Sequence, residues 1–286
     1  MKVEWMKKYL KQIYKNLIRF ALLLAIRTLS LFPRSKYLIS DAIEDLRHNI
    51  IKININFHNL KFYEVNSLIK YRVNTITSKE PDTIEWINSI PTSEVVWDIG
   101  SNIGIYSIYS AVIKNLKCVS VEMSPLNLIN LTKNIILNQC EDKIQILPFG
   151  LTSNTGVEPV FYSQVNFKEG GAHNSVRFPV NQFGEHMDKN FQLNTYVTKI
   201  DELIHLKGIW KPNHLKIDVD GLELEILKGA EQTLVSVKSL LVEIDNKSKF
   251  QIDLEKFLKN LGFILLDNPW YIATKNQIWK NGVFES

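Results

Sequence analysis

VVWDIGSNIGIYS, Val95 to Ser107, is the stretch on which the reading of this chain turns. Val95-Val96-Trp97 is a β-forming run, Asp98 stands at its end, and Gly100 and Gly104 bracket a turn that feeds an apolar helix from Ile103. In an open α/β sheet, ligands bind outside the carboxyl ends of the strands, which is where this turn falls. Glycine permits positive φ and lets a ligand touch the backbone without a Cβ in the way. A carboxylate at Asp98 can accept from a cationic amine, while the helix N-terminus can receive a carboxylate. An amino-acid moiety bearing both groups suits such a site, and S-adenosylmethionine has one.

The next strand sharpens this. VSVEMSP, Val119–Pro125, ends on Glu122, 22 positions after Gly100, where nucleotide-binding sheets hold ribose hydroxyls. Dinucleotide sites need G-x-G-x-x-G to cradle a pyrophosphate, and this turn lacks the second glycine. A nicotinamide oxidoreductase is therefore the minor enzyme reading, and a non-catalytic cofactor-binding protein on a membrane is the third.

Further along, strand-like and helix-like segments alternate with short links. Strands are expected at Val95–Ile99, Lys117–Val121, Lys143–Leu147, His214–Val219 and Leu240–Ile244. Helices are expected at Ile103–Lys114, Pro125–Asn138, Leu222–Val235 and Leu254–Leu261. Phe263–Leu266 with Tyr271–Thr274 is expected to close the sheet as a strand pair. Such alternation predicts a doubly wound, mostly parallel α/β sheet with helices on both faces. Residues 93–286 are read as this core domain. Residues 37–92 form an extension, with a hairpin over Ile51–Val65 turning near His58-Asn59 and a helix at Asp82–Ile90 capped by Asp82.

Residues 1–36 differ in kind. Nine Lys or Arg against Glu4 give them +8, so the remaining 250 residues carry −4 of the chain's +4. The basic pI is thus no argument for nucleic-acid binding by the body. Met6, Leu10, Ile13, Leu17, Ala21 and Leu24 recur at helical spacing, with Lys7, Lys11, Lys15 and Arg19 as a second stripe. The stretch reads either as a helix lying on an anionic membrane surface, at the cytoplasmic face, or as one packed on protein. A spanning helix fits poorly. Its best window, Tyr14 to Phe32, holds Lys15, Arg19 and Arg27, each costing about 2.5–3.5 kcal/mol near mid-bilayer. Cys118 and Cys140 fit neither a disulfide framework nor a zinc set.

From Val95 to Asp267 the chain resembles the FkbM family of S-adenosylmethionine-dependent methyltransferases. The likeness rests on DIGSNIGIYS (Asp98–Ser107), VEMSPLNLINLTKNIILN (Val121–Asn138), TKIDELI (Thr198–Ile204) and LKIDVDGLELEILKGA (Leu215–Ala230), in the family's order. The resemblance implies a class I methyltransferase (Rossmann-like) fold and O-methylation of a saccharide, glycolipid or natural-product hydroxyl. It implies that Asp98, Gly100, Asn102 and Gly104 line the methionine end of the cofactor and that Glu122 holds the ribose. Family members commonly carry Glu-Pro where this chain has Glu122-Met123, and KIDVEG where this chain ends on Asp220-Gly221.

Transfer to a hydroxyl requires removal of a proton, and Asp218, near the end of a central strand, is the leading base. Asp218 or Asp220 could instead cap the helix from Leu222, and no histidine completes an obvious metal set beside them. His173, in GGAHNSV, is a second candidate base or substrate ligand within the long polar stretch Ser163–Asn194. Arg177, His186, Phe167, Phe178 and Phe183 are weaker candidates for gripping a small-molecule or glycan acceptor.

Overall fold

The computed structural model describes residues 2–32, 35–47, 49–163, 167–172, 174–178, 186, 190–245, 248 and 250–284. The chain divides into two compact units, Met1–Asn49 and Ile50–Ser286. The first consists of α1 (Lys2–Leu29) and α2 (Ser35–Arg47). Among the described residues no helix is long and apolar enough to cross a membrane.

The second unit opens with the hairpin β1 (Ile50–Ile55) and β2 (His58–Tyr63). Ile55 pairs with His58, so the turn is Asn56-Phe57 rather than His58-Asn59. Both turn residues have positive φ, 48° and 67°, the geometry that matches the twist of a two-residue hairpin. α3 (Ser67–Asn74) is capped by Asn66, whose side chain accepts from the N–H groups of Leu68 and Ile69. α4 (Pro81–Ser89) starts one residue earlier than expected because Pro81 takes the first helical position, which moves the cap to Glu80. Asp82 is not the cap. Its buried carboxylate accepts from Thr83 N, Asn268 Nδ2, Thr274 Oγ1 and Asn276 Nδ2, tying α4 to the C-terminal region.

The core continues as β3 (Val95–Ile99), α5 (Ile105–Val112), β4 (Lys117–Val121), α6 (Pro125–Leu137) and β5 (Ile144–Leu147). A second group follows: β6 (Gly150–Leu151), β7 (Gly156–Ser163), β8 (Asn174–Val176), β9 (Asn190–Thr198) and α7 (Ile200–Leu203). Then come β10 (His214–Ile217), α8 (Glu223–Lys228), α9 (Glu231–Leu234), β11 (Ser239–Glu243) and α10 (Gln251–Asn260). The chain closes with β12 (Phe263–Leu265), α11 (Tyr271–Thr274) and β13 (Asn276–Asn281).

Seven strands form one sheet in the order β12-β13-β11-β10-β3-β4-β5, parallel except for β13, which runs antiparallel to both neighbours. This is the expected doubly wound class I methyltransferase architecture. Chain order reverses between β3 and β10, so the ligand crevice falls at their carboxyl ends. Period-2 alternation separates two cores: Trp97, Ile99, Leu215 and Ile217 pack on one face, Val96, Cys118 and Leu241 on the other. Each fully buried aliphatic chain contributes about 1.5–3 kcal/mol.

Three elements depart from expectation. Tyr271–Thr274 is a helical turn, not the last strand. Asn268 Oδ1 accepts from Trp270 N–H, an Asx turn that starts the coil, and Lys275 ends it at φ 64°. The expected helix Leu222–Val235 breaks at Gly229, where a Cβ would overlap the Thr152 carbonyl oxygen. Within the stretch expected to be a long polar connection, β8 and most of β9 join β6 and β7 in a separate four-stranded sheet, order β6-β9-β7-β8. Val160, Tyr162, Val176 and Val197 form its own small core.

Candidate functional site

A cleft of about 570 Å³ opens at the carboxyl edge of β3, β4 and β10, lined among others by Gly100, Asn102, Glu122, Asp218 and Asp220. The turn that shapes it is forced by backbone. Gly100 sits at φ +83°, and a Cβ there would overlap the Asp218 carbonyl oxygen, so only glycine lets the turn touch the end of β10. The N–H groups of Gly100 and Ser101 both donate to Val121 O, fastening the turn to β4. Gly104, at φ +86°, lines neither this cleft nor the cavity beside it; a Cβ there would lie 2.5 Å from Leu131 Cδ1, so its smallness serves packing of α5 on α6.

Asp98 lies beneath the turn, 3% exposed. Its Oδ2 accepts from Ser107 Oγ at 2.6 Å, and Oδ1, 4.0 Å from Lys216 Nζ, has no hydrogen-bond partner. Burial pushes its carboxyl above the usual range, with the Lys216 charge opposing. Asn102, at φ 53°, also keeps a buried Oδ1 without a partner. Its N–H donates to Glu122 Oε2 at 2.8 Å, while Ser124 N–H donates to Oε1 at 2.7 Å. Burial pushes Glu122 up to about 7 despite these bonds.

A short strap crosses the cleft at 169–171. Asn66 Nδ2 donates to Glu169 O at 2.9 Å, Arg72 Nε to Gly170 O at 2.9 Å, and Asn102 Nδ2 to Gly171 O at 3.0 Å. Asn127 grips it twice, donating to Gly171 O at 3.1 Å and accepting from Gly170 N at 2.9 Å. His173, two residues on, lies outside the described residues, as does Phe183. Arg177 is engaged with Glu158 at 3.0 Å, and Phe167 packs against Tyr162 and Phe191 inside the small sheet. Phe178 and His186 are exposed.

Asp218 lines both the cleft and a neighbouring cavity of about 460 Å³ on the far side of the Gly100 turn. It is not a helix cap: α8 begins at Glu223 with no side-chain cap, and Glu223 Oε1 accepts from Gly221 N instead. Asp218 Oδ2 accepts from Lys216 Nζ at 2.8 Å, and the Glu243 carboxyl hydrogen-bonds it as well. Burial alone would raise its pKa, but Lys216 and Glu243 overcome this and hold it well below the carboxylate range. Glu243, desolvated and facing the Asp218 charge, is pushed up and keeps the proton of the pair. Lys216 is fully enclosed, its ammonium 5.0 Å from the Tyr106 ring centre. Among the described residues no group of three His, Cys, Asp or Glu is arranged to hold a metal.

Sequence reasoning missed Lys216, Glu243, Asn127 and Arg72. Lys216 had a signal, since it lies two residues before Asp218 on the same strand face. Arg72, Asn127 and Glu243 reach the site only through tertiary packing.

Residues 98–265 match the family described as the Methyltransferase FkbM domain. The chain is 30% identical over 152 residues to Hexuronic acid methyltransferase AglP of Haloferax volcanii, an alignment covering 53% of this chain and 56% of that protein. It is 25% identical over 197 residues to Methyltransferase sdnD of Sordaria araneosa, covering 62% of this chain and 76% of that one. The chain thus spans little more than half the length of AglP. A solved structure of Methyltransferase FkbM from Methylobacillus flagellatus KT overlays with a TM-score of 0.43 at 17% identity, over 65% of this chain and 43% of that one.

Proposed function

The chain belongs to the FkbM methyltransferase family, and from that premise we propose that it transfers a methyl group from S-adenosylmethionine to a hydroxyl of a saccharide, glycolipid or related acceptor. The observation that carries the cofactor assignment is the glycine turn with Asn102 Oδ1, a buried acceptor without a partner on the cleft wall; Asp98, which lines neither cavity and has the Lys216 ammonium 4.0 Å from its Oδ1, supports the turn from beneath. A buried acceptor left unpaired costs about 1–3 kcal/mol, a penalty that a cationic donor beside it removes. The α-ammonium of the cofactor's amino-acid end is such a donor. Glu122 stands at the cleft wall one strand away from the glycine turn, an acceptor placed where ribose hydroxyls would lie.

When bound, S-adenosylmethionine supplies a methyl carbon on a positively charged sulfur, open to in-line displacement by oxygen. The remaining work falls to the chain's own groups. Asp218, common to both cavities, accepts a hydrogen bond from the acceptor hydroxyl and takes its proton as the oxygen–methyl bond forms. Lys216 and the protonated Glu243 keep that carboxylate ionised and oriented. A depressed pKa makes Asp218 a weak base, so its part is alignment first, and proton acceptance late in the transfer. The saccharide class of acceptor draws support from the AglP likeness.

Isothermal titration with S-adenosylmethionine tests the reading: the wild type binds, and Asp98→Ala weakens binding by about tenfold or more. Absence of binding, or unchanged affinity in the variant, would sink it.

A further inference from the structure

The cavity beyond the Gly100 turn is built from two sources. One wall is family-domain sequence, including Asn102, Tyr106, Lys216 and Asp218; the other comes from residues 72–80, which precede the matched residues 98–265. Three cations and two carboxylates line it. Lys216 is paired with Asp218 at 2.8 Å, and Lys79 with Glu80. Arg72 is paired with neither. Its Nε donates to Gly170 O at 2.9 Å, and among the described residues its terminal nitrogens make no hydrogen bond or ion pair.

A guanidinium has five N–H donors, so four remain on the Nη edge after Nε is used. The Gly170 carbonyl fixes the plane of the group, which lowers the entropy lost when that edge binds a ligand. Among the described residues, the lining therefore carries one positive charge, that of Arg72, with no paired carboxylate, and such a charge in a concave site attracts an anion. The fork geometry matches a planar carboxylate, and a single excess charge matches one negative charge better than the two of a phosphate monoester, which would also face Glu80 and Asp218.

We propose that this cavity is a carboxylate subsite in which Arg72, supplied by α3 outside the family domain, receives the carboxylate of a bound ligand. Two sources share that chemistry: the amino-acid end of the cofactor and a sugar-acid acceptor. The naming of these ligands rests on the proposed function; the anion subsite rests on Arg72 and its surroundings. One consequence is that the binding site is incomplete without the segment ahead of the family domain.

Titrations on the full chain decide it, with wild type, Arg72→Gln and Arg72→Lys. The probes are S-adenosylmethionine, 5′-methylthioadenosine (the nucleoside thioether without the amino acid) and glucuronate, the last with and without saturating S-adenosylhomocysteine. If the cofactor supplies the carboxylate, Arg72→Gln weakens S-adenosylmethionine by about tenfold or more and leaves 5′-methylthioadenosine unchanged, with Arg72→Lys intermediate. If the acceptor supplies it, both nucleosides bind as in wild type and glucuronate binding is lost. Wild-type affinity of Arg72→Gln for all three probes overturns the subsite, as does an equal loss for both nucleosides, which marks a structural role. A wild type that binds neither nucleoside defeats the proposed function instead; glucuronate alone then decides, its loss in Arg72→Gln supporting the subsite and its failure to bind overturning it.

Discussion

Burial pushes the Glu122 carboxyl up to about 7, although the N–H groups of Asn102 and Ser124 donate to it. In the proposed role of Glu122, a ribose hydroxyl donates more strongly to the ionised carboxylate than to the protonated one, so cofactor affinity should follow that charge. The sign follows: binding should be full above about pH 8 and fall as pH drops through 7, by up to about tenfold at pH 6. Titrations across that range should show the slope in wild type and a flat, weaker profile in Glu122→Gln. Asp98 drew attention in the sequence because it stands near the end of a hydrophobic strand before a glycine turn, and Glu122 because it follows the next hydrophobic strand 22 positions after Gly100. Glu243 was not, because its importance lies in facing Asp218 across two strands whose pairing no local pattern reveals. His173, the other proposed base, falls outside the described residues, and the proposal for Asp218 rests on its place in the linings of both cavities.

Among elements, the strap at 169–171 owes its position to side chains from α3's cap, α3 itself, the glycine turn and α6. Asn127 makes two of these bonds with buried partners. Asn127→Ala should cost about 1–3 kcal/mol, felt mostly as local opening of the strap. Hydrogen exchange at Gly170, whose amide Asn127 accepts, should quicken by about tenfold or more with little change at β3 or β4; unchanged exchange would show that the other three tethers suffice. Ser163–Asn194 read as a long polar stretch because β8 has three residues and the first half of β9, residues 190–194, is exposed or half-buried throughout, too weak a period for recognition, whereas Thr195–Thr198 is extended as the sequence suggests. The helix after β10 was over-extended for a related reason: Gly229 is tolerable in an isolated helix, and only the closeness of Thr152 reveals why the coil breaks there.

At the scale of the whole second unit, the edge of the sheet opposite the cleft is clamped by polar groups. His214 Nδ1 bonds Ser239 Oγ at 2.7 Å and its Nε2 bonds Glu94 at 2.5 Å, while Trp86 Nε1 donates to Ser239 at 2.9 Å. Asp82 clamps α4 to α11 and β13 in the same way. Asp82→Ala removes the acceptor that Asn268, Thr274 and Asn276 share, leaving each with only its second partner, and should lower unfolding stability by about 1–3 kcal/mol in denaturant titrations. A loss below about 0.5 kcal/mol would mean that water replaces the carboxylate. The mostly parallel sheet followed from the alternation of elements, whereas the bonds made by Glu94, Trp86 and Asp82 join residues more than 100 positions apart and leave no local trace.

Between the two cavities stands Gly100, common to both linings, whose backbone rests directly on the carbonyl of Asp218. An occupant pressing on one side of that backbone is felt on the other. Whatever factor the first guest imposes on the affinity of the second must be returned in full, since the cycle of the two bindings closes. The glycine is thus a fulcrum as well as a turn, and it sets the terms on which two molecules meet.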